Sequence, residues 1–200
     1  MKVAFLLLLL AARPWENAYN ALSLKVITPH IKFARPLLSG RLTVLAIVPR
    51  WTAREVLELE QRFDCKITPV LTYTATSLGA KDPWTSRCPG TLKEHKVEEI
   101  EEKLKGRYDL YLVGNFDWSR LPPGARYEIL RAVKDGAGLV FVRRPPVKGE
   151  LTKLFDTKRR VDPSPVLVGT PFSALSALRG RRPTEVVEAF SLGRGRVVVL

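Results

Sequence analysis

The run Tyr108-Asp-Leu-Tyr-Leu-Val-Gly-Asn-Phe-Asp117, followed by Pro122-Pro123 and then by Asp135-Gly-Ala-Gly-Leu-Val-Phe-Val142, constrains the fold more than any other part of the chain. The stretch reads as a strand, a loop, a helix and a second buried strand. Pro122 and Pro123 suit a first helical turn, where a missing amide costs nothing and a fixed φ helps. Ala125, Ile129, Ala132 and Val133 then share one helical face, and Gly136 supplies the stop. Gly138 to Val142 is short and apolar, which predicts a central strand. Strand, helix and strand in this order describe a crossover between parallel strands.

The same unit is written twice upstream. Leu42-Thr-Val-Leu-Ala-Ile-Val48 is nearly continuous in apolar residues and is closed by Pro49. Thr52-Ala-Arg-Glu55 matches a capping box, and Val56, Leu59 and Phe63 fall on one face of the helix it would start. Cys65 to Tyr73 reads as a second strand, which Pro69 restricts to an edge or bulged position. Residues 75 to 90 form a long loop rich in Thr, Ser, Pro and Gly. Thr91-Leu-Lys-Glu94 offers a second capping box, and Val97, Ile100 and Leu104 give the buried stripe of a helix ending near Gly106. Its Glu and Lys face is ordinary solvation. Three alternations ending in a strand predict an α/β, flavodoxin-like three-layer sandwich with a mostly parallel sheet.

Beyond Arg143 the texture changes. Residues 143 to 182 hold ten basic residues against three acidic ones, so this section carries more than half of the formal net charge of +13. Val166 to Val168 reads as a short strand and Ser173 to Leu178 as a short helix capped by Gly180. Glu185 to Phe190 and Arg196 to Leu200 flank Gly193-Arg-Gly195, the signal of a C-terminal β-hairpin. The strong positive charge predicts attraction to polyanions without defining a site.

The 200 residues accommodate one α/β domain plus an extension, and 46% apolar with 26% charged residues is ordinary for a globular chain. Residues 1 to 12, with one lysine, a pure apolar run and small residues after it, have the outline of a secretory signal peptide, although Leu10 suits a cut after Ala12 poorly. The competing reading is a buried first strand. Residues 13 to 40 read as an entry segment packed on a domain spanning 41 to 200. The chain stops inside an apolar strand, which is expected either of a longer protein cut short or of a terminal strand tucked into the sheet. Cys65 and Cys88 lack the spacing and histidine partners of a zinc site; in an exported protein they would form one disulfide, and otherwise they are two unconnected thiols.

Little in the chain favours nucleophilic chemistry. His30 and His95 are its two histidines, one in the entry segment and one on a charged helix face. A Gly-x-Ser-x-Gly elbow and a phosphate-binding loop are both absent, and Gly136-Ala-Gly138 and Gly193-Arg-Gly195 read as turns rather than a dinucleotide fingerprint. No cofactor or metal is expected. Ligands of open parallel sheets bind where loops converge at the carboxyl ends of the strands. Here those loops carry Arg50 and Trp51, then Tyr73, then Asn115, Phe116, Asp117 and Trp118, then Arg143 and Arg144. Aromatic faces beside Asn, Asp and Arg suit a sugar or another polar ligand, and the arginines suit carboxylate. Against this, Trp51 and Trp118 would fill the upper rim of the sheet while the charges are solvated. The Lys158-Arg-Arg160 and Arg179 to Arg182 clusters suit phosphate contact but carry no nucleic-acid recognition motif, and a solvated basic face is the plainer account.

Leu42 to Val48 with Thr52 to Phe63, the Tyr108 to Asn115 strand, Asp135-Gly-Ala-Gly138 and the closing Phe190-Ser-Leu-Gly-Arg-Gly-Arg-Val-Val-Val-Leu200 together resemble the class I glutamine amidotransferase-like superfamily. The similarity is to its non-catalytic branch in large exported bacterial proteins and beside β-galactosidase catalytic domains, where it mediates trimer contacts. Catalytic members carry a cysteine on the turn after the strand that here is Leu139 to Val142, with His and Glu downstream. Arg143 and Arg144 stand at that turn, and no histidine follows His95. The resemblance therefore implies a non-enzymatic interaction or ligand-binding domain, with other domains of a longer chain, a homo-oligomer, or a carbohydrate or polyanion as partner. Two alternatives remain open: a hydrolase of glycans or related polar substrates using Asp117 as acid or base, and a polyanion-binding module.

Overall fold

The computed structural model describes residues 40–79, 93–164 and 180–200. The expected signal peptide, almost all of the entry segment with His30, most of the long loop with Cys88, the start of the second capping box, and the elements expected within 165–179 lie outside the described residues. Twelve strands and α-helices are described in chain order: β1 (Leu42–Pro49), α1 (Ala53–Arg62), β2 (Cys65–Thr72), α2 (Lys93–Leu104), β3 (Leu110–Val113), α3 (Pro123–Lys134), β4 (Gly138–Phe141), α4 (Glu150–Leu154), β5 (Arg160–Val161), α5 (Pro183–Val186), β6 (Glu188–Leu192) and β7 (Gly195–Val199).

The strands form one sheet of seven in the order β2-β1-β3-β4-β7-β6-β5. The first five run parallel, and β7 turns the sheet antiparallel through β6 into β5. This is the expected α/β, flavodoxin-like sandwich with a C-terminal hairpin. Register follows the apolar runs: Val44 lies opposite Leu110, Leu110 opposite Gly138, and Gly138 opposite Arg196. Because side chains alternate along a strand, Leu45 and Ile47 meet one layer and Ala46 and Val48 the other. Leu45 and Ile47 join the main core with Ile100 of α2, Ile129 and Val133 of α3, and Leu151 and Leu154 of α4. Ala46 and Val48 pack with Val56 of α1.

Pro69 is tolerated in β2 because β2 is an edge strand, as the sequence predicts. Its carbonyl accepts from Lys103 Nζ at 2.6 Å, so α2 is tied across that edge. At the start of the sheet, Asp109 Oδ2 accepts from both the amide and the hydroxyl of Thr43, each at 2.8 Å. The pair fixes the entry of β3 against β1.

Three local expectations are corrected. Thr52 does not form a capping box, because its hydroxyl donates to the Pro49 carbonyl at 2.8 Å and is not available to the helix amides. Leu59 and Phe63 are not a buried stripe; they are 38% and 40% exposed, and α1 meets the sheet through Ala53 and Val56 in its first turn. The segment before β6 begins as a helical turn, not as strand from Glu185. Pro183 starts that turn, and the Glu185 carboxylate accepts from the Arg182 amide at 3.2 Å, one half of a capping box.

Candidate functional site

The strand order reverses direction between β1 and β3, since β1 connects to β2 on one side while β3 and β4 continue on the other. Loops leaving such a switch point diverge and open a crevice. Gly114, at the end of β3, runs close against β1: its amide donates to the Ile47 carbonyl at 3.0 Å, and a Cβ there would stand 2.8 Å from Val48 Cγ1. Only glycine fits at that approach.

The predicted residues divide into separate groups around this end of the sheet. Arg50 lies with its guanidinium carbon 4.8 Å from the centre of the Tyr73 ring, a cation–π pair joining the ends of β1 and β2. Trp51 is 49% exposed, so it does not fill the rim, and Asn115 is exposed. Trp118 does fill the rim. It is 2% exposed and stands edge-on to Phe141 with ring centres 5.4 Å apart. Asp117 closes the short 3-10 turn Trp118–Arg120: Oδ1 accepts from the Ser119 amide at 3.0 Å and from its hydroxyl at 2.8 Å, and Arg120 approaches at 3.6 Å. The Asp117 amide donates to the Ala75 carbonyl at 2.7 Å, which ties this turn to the loop after β2.

After β4, Arg143 is exposed. Arg144 turns back instead: it forms an ion pair with Glu188 of β6, and its guanidinium carbon lies 5.2 Å from the Phe155 ring centre. Phe155 contacts Phe141 and Phe190 in turn, at 6.2 and 5.1 Å between centres. Trp118, Phe141, Phe155 and Phe190 thus form a chain of rings under this end of the sheet.

Asp117 and Trp118 line a cavity of about 290 Å³ with Ser119, Arg126, Pro146, Lys148, Gly149, Glu150 and Leu151. None of Arg50, Trp51, Tyr73, Asn115, Arg143 and Arg144 contributes to it. Glu150 is its centre, and sequence reasoning missed it. One of its oxygens accepts from Trp118 Nε1 at 3.0 Å and from Arg126 Nη1 at 2.6 Å. Burial pushes the Glu150 carboxyl up, but its backbone amide, the indole N–H and the Arg126 guanidinium outweigh this and hold it below the usual carboxylate range. The partners lie 32 and 24 residues away, a separation that no local pattern signals.

Arg126 and Glu150 also border a wider groove of about 450 Å³ between α3 and the segment running from α4 to β6. Its α3 wall is Pro123, Arg126, Tyr127, Leu130, Arg131 and Lys134, one stripe at helical spacing. Lys153, Leu154, Arg159 and Leu192 complete it. Among the described residues no group of three or more His, Cys, Asp or Glu could hold a metal ion, and no helix is long and apolar enough to cross a membrane.

An open α/β sandwich with its switch point between β1 and β3, and a cationic groove beside α3, is the class of domain that fold and geometry define. No family model, curated protein or solved structure matches the chain.

Proposed function

We propose that the chain is a non-catalytic binding domain of amidotransferase-like architecture, which holds a partner or ligand without turning it over. The observation that carries this reading is the turn after β4. Where a catalytic relative would present a cysteine, Val142 leads to Arg143 and Arg144, and Arg144 is engaged by Glu188 and Phe155. A guanidinium stays protonated at any physiological pH, so it is no nucleophile toward a carbonyl carbon. Arg144 here is a strut between β4 and β6. Export, attachment to further domains and self-association, in the company of carbohydrate-active proteins, belong to the same reading.

A hydrolase reading draws on the cavity shared by Asp117 and Glu150. Paired carboxylates do acid and base work when their environments separate their pKa values, one raised to donate a proton. Glu150 is held low, so it is ionised at neutral pH and has no proton to give. Asp117 is committed to the turn it caps. Both facts favour binding over turnover.

The test is direct. Purified protein is assayed for glutaminase, esterase and glycosidase activity beside Arg143→Ala and Asp117→Asn. The expected result is no turnover in any of the three. Turnover in the wild type that disappears in a folded Asp117→Asn variant overturns the proposal and installs the hydrolase.

A further inference from the structure

We infer that the groove beside α3 is a docking site for an acidic amphipathic segment of a partner protein. The inference rests on reading the chain as a binding domain and adds the chemistry of what is bound. Two features of the groove choose the occupant.

The first is charge. Arg126 and Arg131 are already paired with Glu150 and Glu128. Lys134, Lys153 and Arg159 also line the groove, and among the described residues no carboxylate pairs with any of them. Three uncompensated cations around one depression attract carboxylates and, because they sit on its rim, act chiefly on encounter and orientation.

The second is the floor. Leu130, Leu154 and Leu192 are aliphatic and offer no hydrogen bond, while Tyr127 on the wall is 65% exposed. A polysaccharide or nucleic acid could use the cations and the Tyr127 ring but would leave the aliphatic floor of Leu130, Leu154 and Leu192 unmatched. Apolar anchors flanked by Asp and Glu satisfy both rim and floor. The α3 stripe from Pro123 to Lys134 runs about 16 Å at 1.5 Å per residue, the length of three helical turns. A helix laid in a groove reads out anchors at positions i, i+3, i+4 and i+7, which fits that length.

The experiment uses the full chain and three fluorescein-labelled 14-residue peptides. Two share a composition of Leu and Glu, one with the leucines as a helical stripe and one scrambled, and the third is the stripe with Gln in place of Glu. The striped acidic peptide is expected to raise the anisotropy saturably, with at least tenfold tighter binding than either control. Lys153→Glu with Arg159→Glu should weaken it at least tenfold, and Tyr127→Ser several-fold. All three positions sit on the groove surface, and melting curves confirm that the variants fold. Absence of binding by the striped peptide overturns the inference, as do variants that bind it like wild type. Equal binding of the scrambled peptide and of heparin, with the same loss on charge reversal, overturns it in favour of a general polyanion surface. Hydrolysis assayed on the same samples keeps the two readings apart: turnover strikes the binding-domain proposal, whereas an inert protein that ignores the peptides strikes this one alone.

Discussion

The backbone amide of Arg194 donates to the carbonyl of Lys134 at 3.0 Å, so the turn between β6 and β7 closes the C-terminal end of α3. The rest of that helix end is closed locally. Ala137 N donates to Ala132 O and Gly136 N to Val133 O, each at 3.0 Å, the pair of bonds of a Schellman motif, and Asp135 N donates to Arg131 O. All four last carbonyls of α3 therefore have a donor, three from the helix's own exit and one from the hairpin.

The hairpin turn reaches the helix end only because its glycines lack Cβ atoms. A Cβ on Gly195 would press into the backbone oxygens of Val133 and Ala137, and one on Gly193, whose φ is 59°, would stand 2.9 Å from Lys134 Cα. Backbone cannot yield as a side-chain tip does. Gly195→Ala is expected to cost about 2–4 kcal/mol, in the range of overpacking combined with lost hydrogen bonds. Urea denaturation measures it. Gly124, in the first turn of α3 with nothing within 4 Å of its Cβ position, is the control: Gly124→Ala should stabilise by about 0.5 kcal/mol.

Glu150 is the acceptor for two donors that have no other acceptor among the described residues. Glu150→Ala leaves the Trp118 indole N–H and the Arg126 guanidinium facing each other across the cavity. Among the described residues, Arg126 Nε is already buried without an acceptor. The expected loss is about 1–3 kcal/mol, the cost of stranding partly buried donors. Because Trp118 is one of four tryptophans, a shift in its emission should accompany the loss in the folded state.

Acid should weaken the fold through Glu99 and Glu150. Burial pushes the Glu99 carboxyl up, yet hydrogen bonds and charge from Lys103 and Lys96, at 2.5 and 2.6 Å, hold it below its ordinary value. A carboxyl with a depressed folded-state pKa contributes stability that is fully present above its unfolded value, about 4.3. That contribution is lost as pH falls through the folded value. Melting temperature should stay level between pH 7 and about 5 on this account and drop below about 4.5. Glu99→Gln should lower it at pH 7 and flatten the acid limb. An unchanged acid limb in both Glu99→Gln and Glu150→Gln would contradict the assignment.

Arg143 and Arg144 are neighbours with opposite expectations. Arg143→Ala removes an exposed side chain and should change stability by less than about 0.5 kcal/mol. Arg144→Ala removes both the Glu188 pair and the cation over Phe155, at an expected cost of about 1 kcal/mol. A double-mutant cycle with Glu188→Gln isolates the pair; Arg160, 3.8 Å from the same carboxylate, keeps Glu188 from being left alone.

The inner strands of the sheet announced themselves: β1, β3, β4 and β7 are mostly apolar runs, and the edge position of β2 was written in Pro69. The stop of α3 at Gly136 was equally legible, because positive φ and the Schellman bonds are local events. What eluded the sequence is long-range. Trp118 meets Glu150, Arg144 meets Glu188 and Thr43 meets Asp109 only after the strand order is set. Of the predicted site, Asp117 and Trp118 share a cavity, whereas Arg50 with Tyr73 and Arg144 with Glu188 form pairs of their own. The wider groove was not legible: Arg159 belongs to a cluster that reads as a solvated basic face, and no local pattern singles out Tyr127 or Lys153, because spacing along the chain cannot say which exposed surface becomes concave. Thr52 failed as a cap for a reason of one hydrogen bond: Pro49 offered its carbonyl first.

Strand β7 lies between β4 and β6, with Val199 opposite both Phe141 and Glu188, so β6 and β5 join the rest of the sheet through residues 195–199. During synthesis this places a demand on timing. β1 to β4 can assemble as soon as they leave the ribosome, but β4 then presents an open apolar edge until some fifty-five further residues have been translated. At about 5–20 residues per second that edge stays unpaired for several seconds, long enough for a chaperone or a neighbouring nascent chain to find it. Shortening the chain before Gly195 would make that interval permanent.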